Sequence, residues 1–277
     1  MLDTSLFHSI EIHFSLVLAA NTTFPQFGCD KVSEVLRKFA MFLPWEGGHR
    51  REFSRNFLLQ MYYSFVQSIP MLAVLGLFCG VAISFQANFG LAFLGSYSQL
   101  GKLLVLLIFR EFTPLVASLI LIARSVTAIA AELATNKVQQ EVEALQVMGI
   151  SVYHYLLAPR IAAGAVSLFC MAMTFWGFAL CGGWIGANYS GFFPVNQYLI
   201  SISQAIRPSD FPFFLVRTSM LGGLVSYIGC RRGLSLVSAP FEVPIVTNRA
   251  VVDSLTLAIA VHAASSVAYY LIFGVDL

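Results

Sequence analysis

The sequence predicts an all-α membrane protein: an N-terminal amphipathic interfacial helix, five transmembrane helices, and a short cytoplasmic docking helix between spans 2 and 3. Three observations predict it. Of 277 residues, 58% are hydrophobic and only 11% charged, with a mean hydropathy of +0.78, whereas a soluble domain carries about a quarter charged residues. Five stretches are each apolar enough to cross about 30 Å of hydrocarbon, which takes about 20 helical residues. Basic residues fall unevenly on alternate connecting segments.

The spans are expected near Ser68–Phe85, Leu103–Ala131, Ile161–Ile185, Phe211–Ile228 and Val251–Phe273. The second exceeds what a crossing needs, so it should tilt or project. Ser209 or Asp210 is placed to cap the fourth, with Pro212 in its first turn, where no backbone N–H is required. One set of connections carries Lys31, Arg37, Lys38, Arg50, Arg51, Arg55, Lys137, Arg160, Arg231, Arg232 and Arg249; the other carries Lys102 and Arg207. Basic segments stay cytoplasmic, so the N-terminus is expected in the cytoplasm and the C-terminus outside.

Residues 1–30 are an undefined segment, 31–66 an interfacial helix and elbow, and 67–277 the transmembrane domain. In Lys31–Leu43, Val32, Val35, Leu36 and Phe39 recur at helical spacing among Lys31, Glu34, Arg37 and Lys38, which suits the cytoplasmic membrane surface. Glu132–Ser151 is the most polar stretch between spans. Val138, Val142, Leu145 and Met148 or Val147 form its apolar stripe, and Gly149 follows as a C-cap. It is either a solvated connector or a docking element for a soluble partner.

Residues 106–132, LLIFREFTPLVASLILIARSVTAIAAE, place Arg110, Glu111, Pro114 and Arg124 inside an apolar run. A charge at the helix centre costs about 2.5–3.5 kcal/mol on insertion scales, so such residues face a cavity or a partner. Adjacent helical residues diverge too far to pair with one another. Arg110 and Glu111 therefore each need a second helix, another subunit, water or a ligand. Pro114 lacks the N–H that would bond the Arg110 carbonyl, leaving a free acceptor and a bend beside the charges. One reading is a polar pocket in which Arg110 meets a headgroup phosphate; the other is a pair of internal salt bridges. Arg124, four turns on, is read as snorkelling at the boundary. Small residues around Ala123–Ala131 and Gly182-x-x-x-Gly186 permit close helix packing.

The five cysteines form no CxxC, and the five histidines stand at no metal-ligand spacing. Gly95–Lys102 lacks the spacing and the Ser or Thr of a phosphate-binding loop. The chain is read as non-catalytic, without cofactor, metal or nucleic-acid partner.

Arg110-Glu111-x-x-Pro114, Ala123-Arg124, Ala131-Glu132-Leu133, Glu141–Gly149 and Pro159-Arg160, taken together and in this order, resemble the MlaE permease family. These are membrane subunits of ABC transporters that move phospholipids between envelope membranes. The chain departs from the family pattern at Phe112-Thr113, Gln140-Glu141, Ser151-Val152 and His262. The resemblance implies a homodimer with a phospholipid cavity at its interface and no enzymatic activity of its own. A separate cytoplasmic ABC ATPase, holding ATP and Mg, would dock on Glu141, Glu143, Leu145, Gln146, Val147 and Met148. An MCE-type substrate-binding protein would sit on the outer side. Arg110, Glu111, Ile83, Leu91 and Leu94 would match the lipid-binding positions. The location implied is the bacterial inner membrane, with the plastid inner envelope as the alternative. A competing expectation is an ion-coupled transporter or channel using Arg110, Glu111 and His262.

Overall fold

The computed structural model describes residues 50–94, 104–188, 195–235 and 240–273, without the side chains of 50–52, 88–94, 195 and 272–273. The expected interfacial helix at Lys31–Leu43, residues 1–30 and the Gly95–Lys102 stretch lie outside the described residues. Among the described residues every regular element is helical, and five helical stretches are long and apolar enough to cross a membrane. They are span 1, Phe53–Ala87; span 2, Val105–Val138; span 3, Tyr153–Asn188; span 4, Asp210–Gly233; and span 5, Pro240–Leu271.

Span 1 joins α1 (Arg50–Ser64) to α2 (Ile69–Leu94) through a tight turn at Val66–Ser68. Pro70 has no N–H for a helical bond back to Val66, which explains the interruption there. Phe57 and Met61 of α1 are fully buried, and α1 packs on span 3, so the bundle begins before the expected boundary at residue 67.

Span 2 alternates wide and regular turns: a π-helical Val105–Phe112, α3 (Thr113–Leu121), a π-helical Ile122–Val126 and α4 (Thr127–Val138). The first wide stretch ends at Phe112, two residues before Pro114, and the Thr113 backbone N–H donates to the Ile108 carbonyl five residues back. π-turns recur where a helix has been adapted to a function. A bend at Pro114 was expected; the departure from α-geometry precedes it.

At two of the proline sites an arginine from another span bonds the nearby backbone. Arg217 of span 4 donates to the Arg110 carbonyl at 3.0 Å, the acceptor that Pro114 leaves open. Arg124 donates to both the backbone carbonyl and the side-chain oxygen of Gln67, beside the Pro70 break, the latter at 3.0 Å. Arg124 therefore does not snorkel as expected, because the Gln67 carbonyl gives it a partner inside the bundle. Arg110 and Arg124 reach different spans, span 4 and span 1.

Span 3 is α6 (Ala158–Asn188), entered through a wide turn at Tyr153–Leu157, and its largest contact is with α2. Lipid tails are as apolar as leucine, so this contact depends on close van der Waals fit rather than burial from water. Small residues supply the fit on both sides. A Cβ on Gly80 would overlap the Ala179 carbonyl and stand 2.8 Å from the Gly183 nitrogen. A Cβ on Gly182 would overlap the Leu77 carbonyl, and one on Gly186 would lie 2.7 Å from that of Val81. The packing role read for Gly182 and Gly186 is thus seen, with Gly80 as their counterpart.

A helix absent from the expectations, α7 (Val195–Ala205), joins spans 3 and 4. At 11 residues it is too short to cross. Tyr198 anchors it by donating to the Leu180 carbonyl at 3.1 Å, while Leu199 and Ile200 remain exposed. Span 4 is α8 (Asp210–Gly233), and span 5 is α9 (Val243–Phe273) behind a turn at Pro240–Glu242. Helix α9 starts ahead of the apolar stretch that begins at Val251. Val243 and Val246 of this extension pack on Ala134 and Val138, which lie beyond the apolar part of span 2.

Span 2 packs on spans 3, 4 and 5, and 56% of its most apolar window is buried, against 17% for span 5. The residues about Arg110 therefore sit among three helices, and span 5 turns most of its surface outward.

Candidate functional site

Seven polar side chains from spans 2, 4 and 5 meet near the end of the bundle that holds the start of span 4. Arg110 forms an ion pair with Asp210 at 2.9 Å and lies over the Tyr269 ring, 4.7 Å from its centroid. The Tyr269 hydroxyl donates to the second Asp210 oxygen, and the Arg207 backbone N–H donates to the first at 3.1 Å. Asp210, 2% exposed, thus has both oxygens engaged. Neither it nor Ser209 makes the expected side-chain cap at the α8 N-terminus. A guanidinium held in hydrocarbon is a stronger claim on a carboxylate than backbone N–H groups at a helix end.

Glu111 takes a different set of partners on the same two spans. Ser266 donates to one carboxylate oxygen, while His262 Nε2 lies 3.2 Å and Arg217 3.8 Å from the other. Arg217 also lies 2.8 Å from His262 Nδ1 and donates to the His262 carbonyl at 3.1 Å. A guanidinium has no acceptor, so Nδ1 accepts from Arg217 and Nε2 is left to donate to Glu111. With its bond to the Arg110 carbonyl, Arg217 ties span 4 to both spans 2 and 5. Arg110, Arg217, Asp210 and Glu111 carry two charges of each sign. Such balance makes ionised groups tolerable at membrane depth.

The internal-partner reading of Arg110 and Glu111 is therefore the one observed within a single chain. Phe109, Phe213, Phe214 and the charged groups enclose a crevice of about 10 Å³, which is room for about one water and none for a lipid headgroup. Glu111 keeps 28% of its side-chain surface exposed, on the same side of span 2 as exposed Leu107. Ile83 is half-buried against the core. Leu91 and Leu94 fall in the last turn of α2, with side chains outside those described.

Sequence reading missed Arg217, Ser266 and Tyr269 here and gave Asp210 a different task. One signal was available for Arg217: an arginine seven residues inside an apolar span needs a partner as much as Arg110 does.

At the opposite end, α4 stops at Val138 and the chain turns through Gln140, whose φ is +60°. Helix α5 (Glu141–Val147) follows. The turn separates Val138 from the stripe expected to include it. Val142 is α5's buried anchor and Leu145 is half-buried, while Glu141, Glu143, Gln146, Val147 and Met148 are exposed. Val147 is 89% and Met148 65% exposed. Lys137 pairs with Glu143 at 3.4 Å across the turn. Gly149, at φ +76°, ends α5. Its N–H donates to the Gln146 carbonyl and that of Ile150 to the Leu145 carbonyl, both at 3.0 Å. This pair of bonds is the Schellman arrangement, and the C-cap role read for Gly149 holds.

The family model described as Permease MlaE matches residues 57–268. The chain belongs to the MlaE permease family. This MlaE-family chain is 28% identical over 198 residues to a probable ABC transporter permease protein of Rickettsia prowazekii, covering 72% of this chain and 76% of that protein. It is 30% identical over 153 residues to the intermembrane phospholipid transport system permease protein MlaE of Haemophilus influenzae, covering 53% of this chain and 59% of that protein. Protein TRIGALACTOSYLDIACYLGLYCEROL 1, chloroplastic, of Arabidopsis thaliana matches at 26% over 201 residues, covering 73% and 57% of the two chains. The matched region contains all five spans apart from their outermost residues, together with α5 and the polar network except Tyr269.

Proposed function

We propose that this chain is the permease subunit of an ABC transporter that moves phospholipid between two membranes. ATP is hydrolysed by a separate cytoplasmic subunit, which holds the nucleotide and Mg. Two copies of the chain enclose the lipid cavity, and an MCE-type protein meets the opposite end of the bundle. The distribution of basic residues favours a cytoplasmic N-terminus and an outward C-terminus in a bacterial inner membrane. A chloroplastic relative keeps the plastid envelope as the second location.

The observation that carries this reading is α5. A seven-residue helix that buries Val142 and presents Val147 and Met148 beside Glu141, Glu143 and Gln146 suits a groove on a soluble protein. Its anchorage to α4 passes movement of that protein directly to span 2, and hence to the Arg110–Glu111 level.

The lipid site we place between copies. The crevice inside one chain is too small, whereas Leu107, Glu111 and the outward face of span 5, including Val267 and Leu271, offer apolar surface beside a carboxylate. Ile83, Leu91 and Leu94 would extend that surface along span 1, and Arg110 lies next to it.

Val147→Asp should abolish capture of the ATPase subunit while leaving the five-span fold unchanged, since Val147 contacts little within the chain. Affinity purification from native membranes, followed by identification of bound nucleotide-binding subunits, checks this. Capture at the wild-type level would remove α5 from the interface.

The contact of His262 with both Glu111 and Arg217 favours a second reading, an ion-coupled transporter working alone. The described network runs from Asp210 to Arg217, only about two turns or roughly 10 Å along span 4. It is a cluster at one depth.

A further inference from the structure

A second cavity, separate from the Arg110–Asp210 network, opens between spans 4 and 5 at the end of the bundle that carries α5. Its volume is about 430 Å³, and its lining includes Ile228, Arg231 and Arg232 from span 4 with Asp253, Leu257 and Ala260 from span 5. The lining is layered. Arg232 is paired with Asp253, which leaves Arg231, in the last turn of α8, as the net positive charge at the mouth. Ile228 lies one turn further in on span 4, and Leu257 and Ala260 one and two turns past Asp253 on span 5. All three face hydrocarbon depth.

The level of the mouth follows from the sequence. The apolar stretch of span 5 starts near Val251, just past Thr247, Asn248 and Arg249. Asp253 and the two arginines therefore stand where a bilayer's hydrocarbon meets its headgroups. Basic pockets between transmembrane helices at that level bind anionic headgroups, and Arg suits the phosphate geometry. Beyond the mouth the wall is Ile228, Leu257 and Ala260, with the Thr256 hydroxyl already donating to the Val252 carbonyl, so it suits a methylene chain better than water.

We propose that this groove binds one anionic phospholipid of the adjacent leaflet, with its phosphate on Arg231 and the start of an acyl chain along Ile228, Leu257 and Ala260. The Arg232–Asp253 pair fixes the width of the mouth. The inference rests on the spans lying in a bilayer and not on phospholipid being the transported cargo.

The test is lipid retention by the purified full-length chain, measured by native mass spectrometry after equilibration in micelles doped with phosphatidylglycerol or phosphatidylcholine. Wild type should retain phosphatidylglycerol preferentially. Arg231→Gln should lower that retention about fivefold, the effect of one basic residue at an anionic surface. Arg249→Gln, an exposed arginine outside the groove, should leave it unchanged. Equal retention of the two lipids would overturn the proposal, as would an equal loss with Arg249→Gln. Displacement by millimolar inorganic phosphate alone would show a free-anion site and not a lipid site. Cross-linking of two Ala260→Cys chains with loss of bound phosphatidylglycerol would show that a second copy fills the groove, and would also overturn it. No arm measures transport or ATPase capture, so failure here leaves the transporter reading intact.

Discussion

Arg217→Met will unfold the bundle at the level of Glu111. The substitution replaces the apolar stem of Arg217 but not its guanidinium, and so removes four contacts at once: the Arg110 carbonyl, the His262 ring, the His262 carbonyl and the Glu111 carboxylate. It leaves a carboxylate without its balancing cation and reopens the carbonyl that Pro114 cannot serve. An uncompensated charge at that depth costs about 2.5–3.5 kcal/mol, and span 5 has little other burial to hold it. Thermal unfolding in detergent should show a large drop in midpoint. Arg217→Met combined with Glu111→Gln should recover part of it, because the orphaned charge is then gone. Equal stability of wild type and the single variant would show the contacts to be incidental.

The second large effect is expected from Gly80→Leu. The backbones of spans 1 and 3 approach so closely that even a Cβ at Gly80 overlaps the Ala179 carbonyl. The obstacle is main chain, so no rotamer change relieves it. Overpacking of a tight core already costs about 1–3 kcal/mol where side chains can adjust, and a helix–helix contact that cannot adjust must separate. The variant should fail to accumulate as folded protein, measured by detergent-extracted yield and size-exclusion profile. Gly177→Leu, on span 3 with open space around its Cβ position, is the control and should accumulate normally.

Much of this fold is legible in the sequence because hydropathy alone enforces crossings, and all five appear where apolar length requires them. Their ends are less legible. Helix α9 begins ahead of Val251 because Val243 and Val246 find partners on the projecting end of α4, a tertiary contact that no local pattern announces. Helix α1 is obscured similarly: its arginines read as an elbow, yet Phe57 and Met61 are buried against span 3. Helix α7 is too short to register as a crossing, and the Tyr198 bond that anchors it reaches back 18 residues.

The site divides along the same line. That Arg110 and Glu111 need partners follows from the cost of charge in lipid, and the Arg110 carbonyl as a free acceptor follows from Pro114. Which residues answer them does not follow, because Asp210 and His262 lie 100 and 151 positions away. Asp210 also carried a sufficient local explanation as a helix cap. Once Arg110 supplies a charge-assisted bond, that explanation loses to a stronger interaction.

The charge balance within one chain also bears on mechanism. A network neutral in itself, around a crevice with room for about one water, holds spans 2, 4 and 5 as a unit. In the dimer we propose, motion delivered through α5 and α4 would move that unit as a body against its neighbour and so change the space between copies. The deciding measurement is transfer of a fluorescent phospholipid between vesicles by the complex purified from native membranes, with and without ATP, set beside ion and solute flux by the chain alone. The account predicts ATP-dependent lipid transfer by the complex and none by the isolated chain. Flux through the chain alone, with no ATP-dependent lipid transfer, would contradict it.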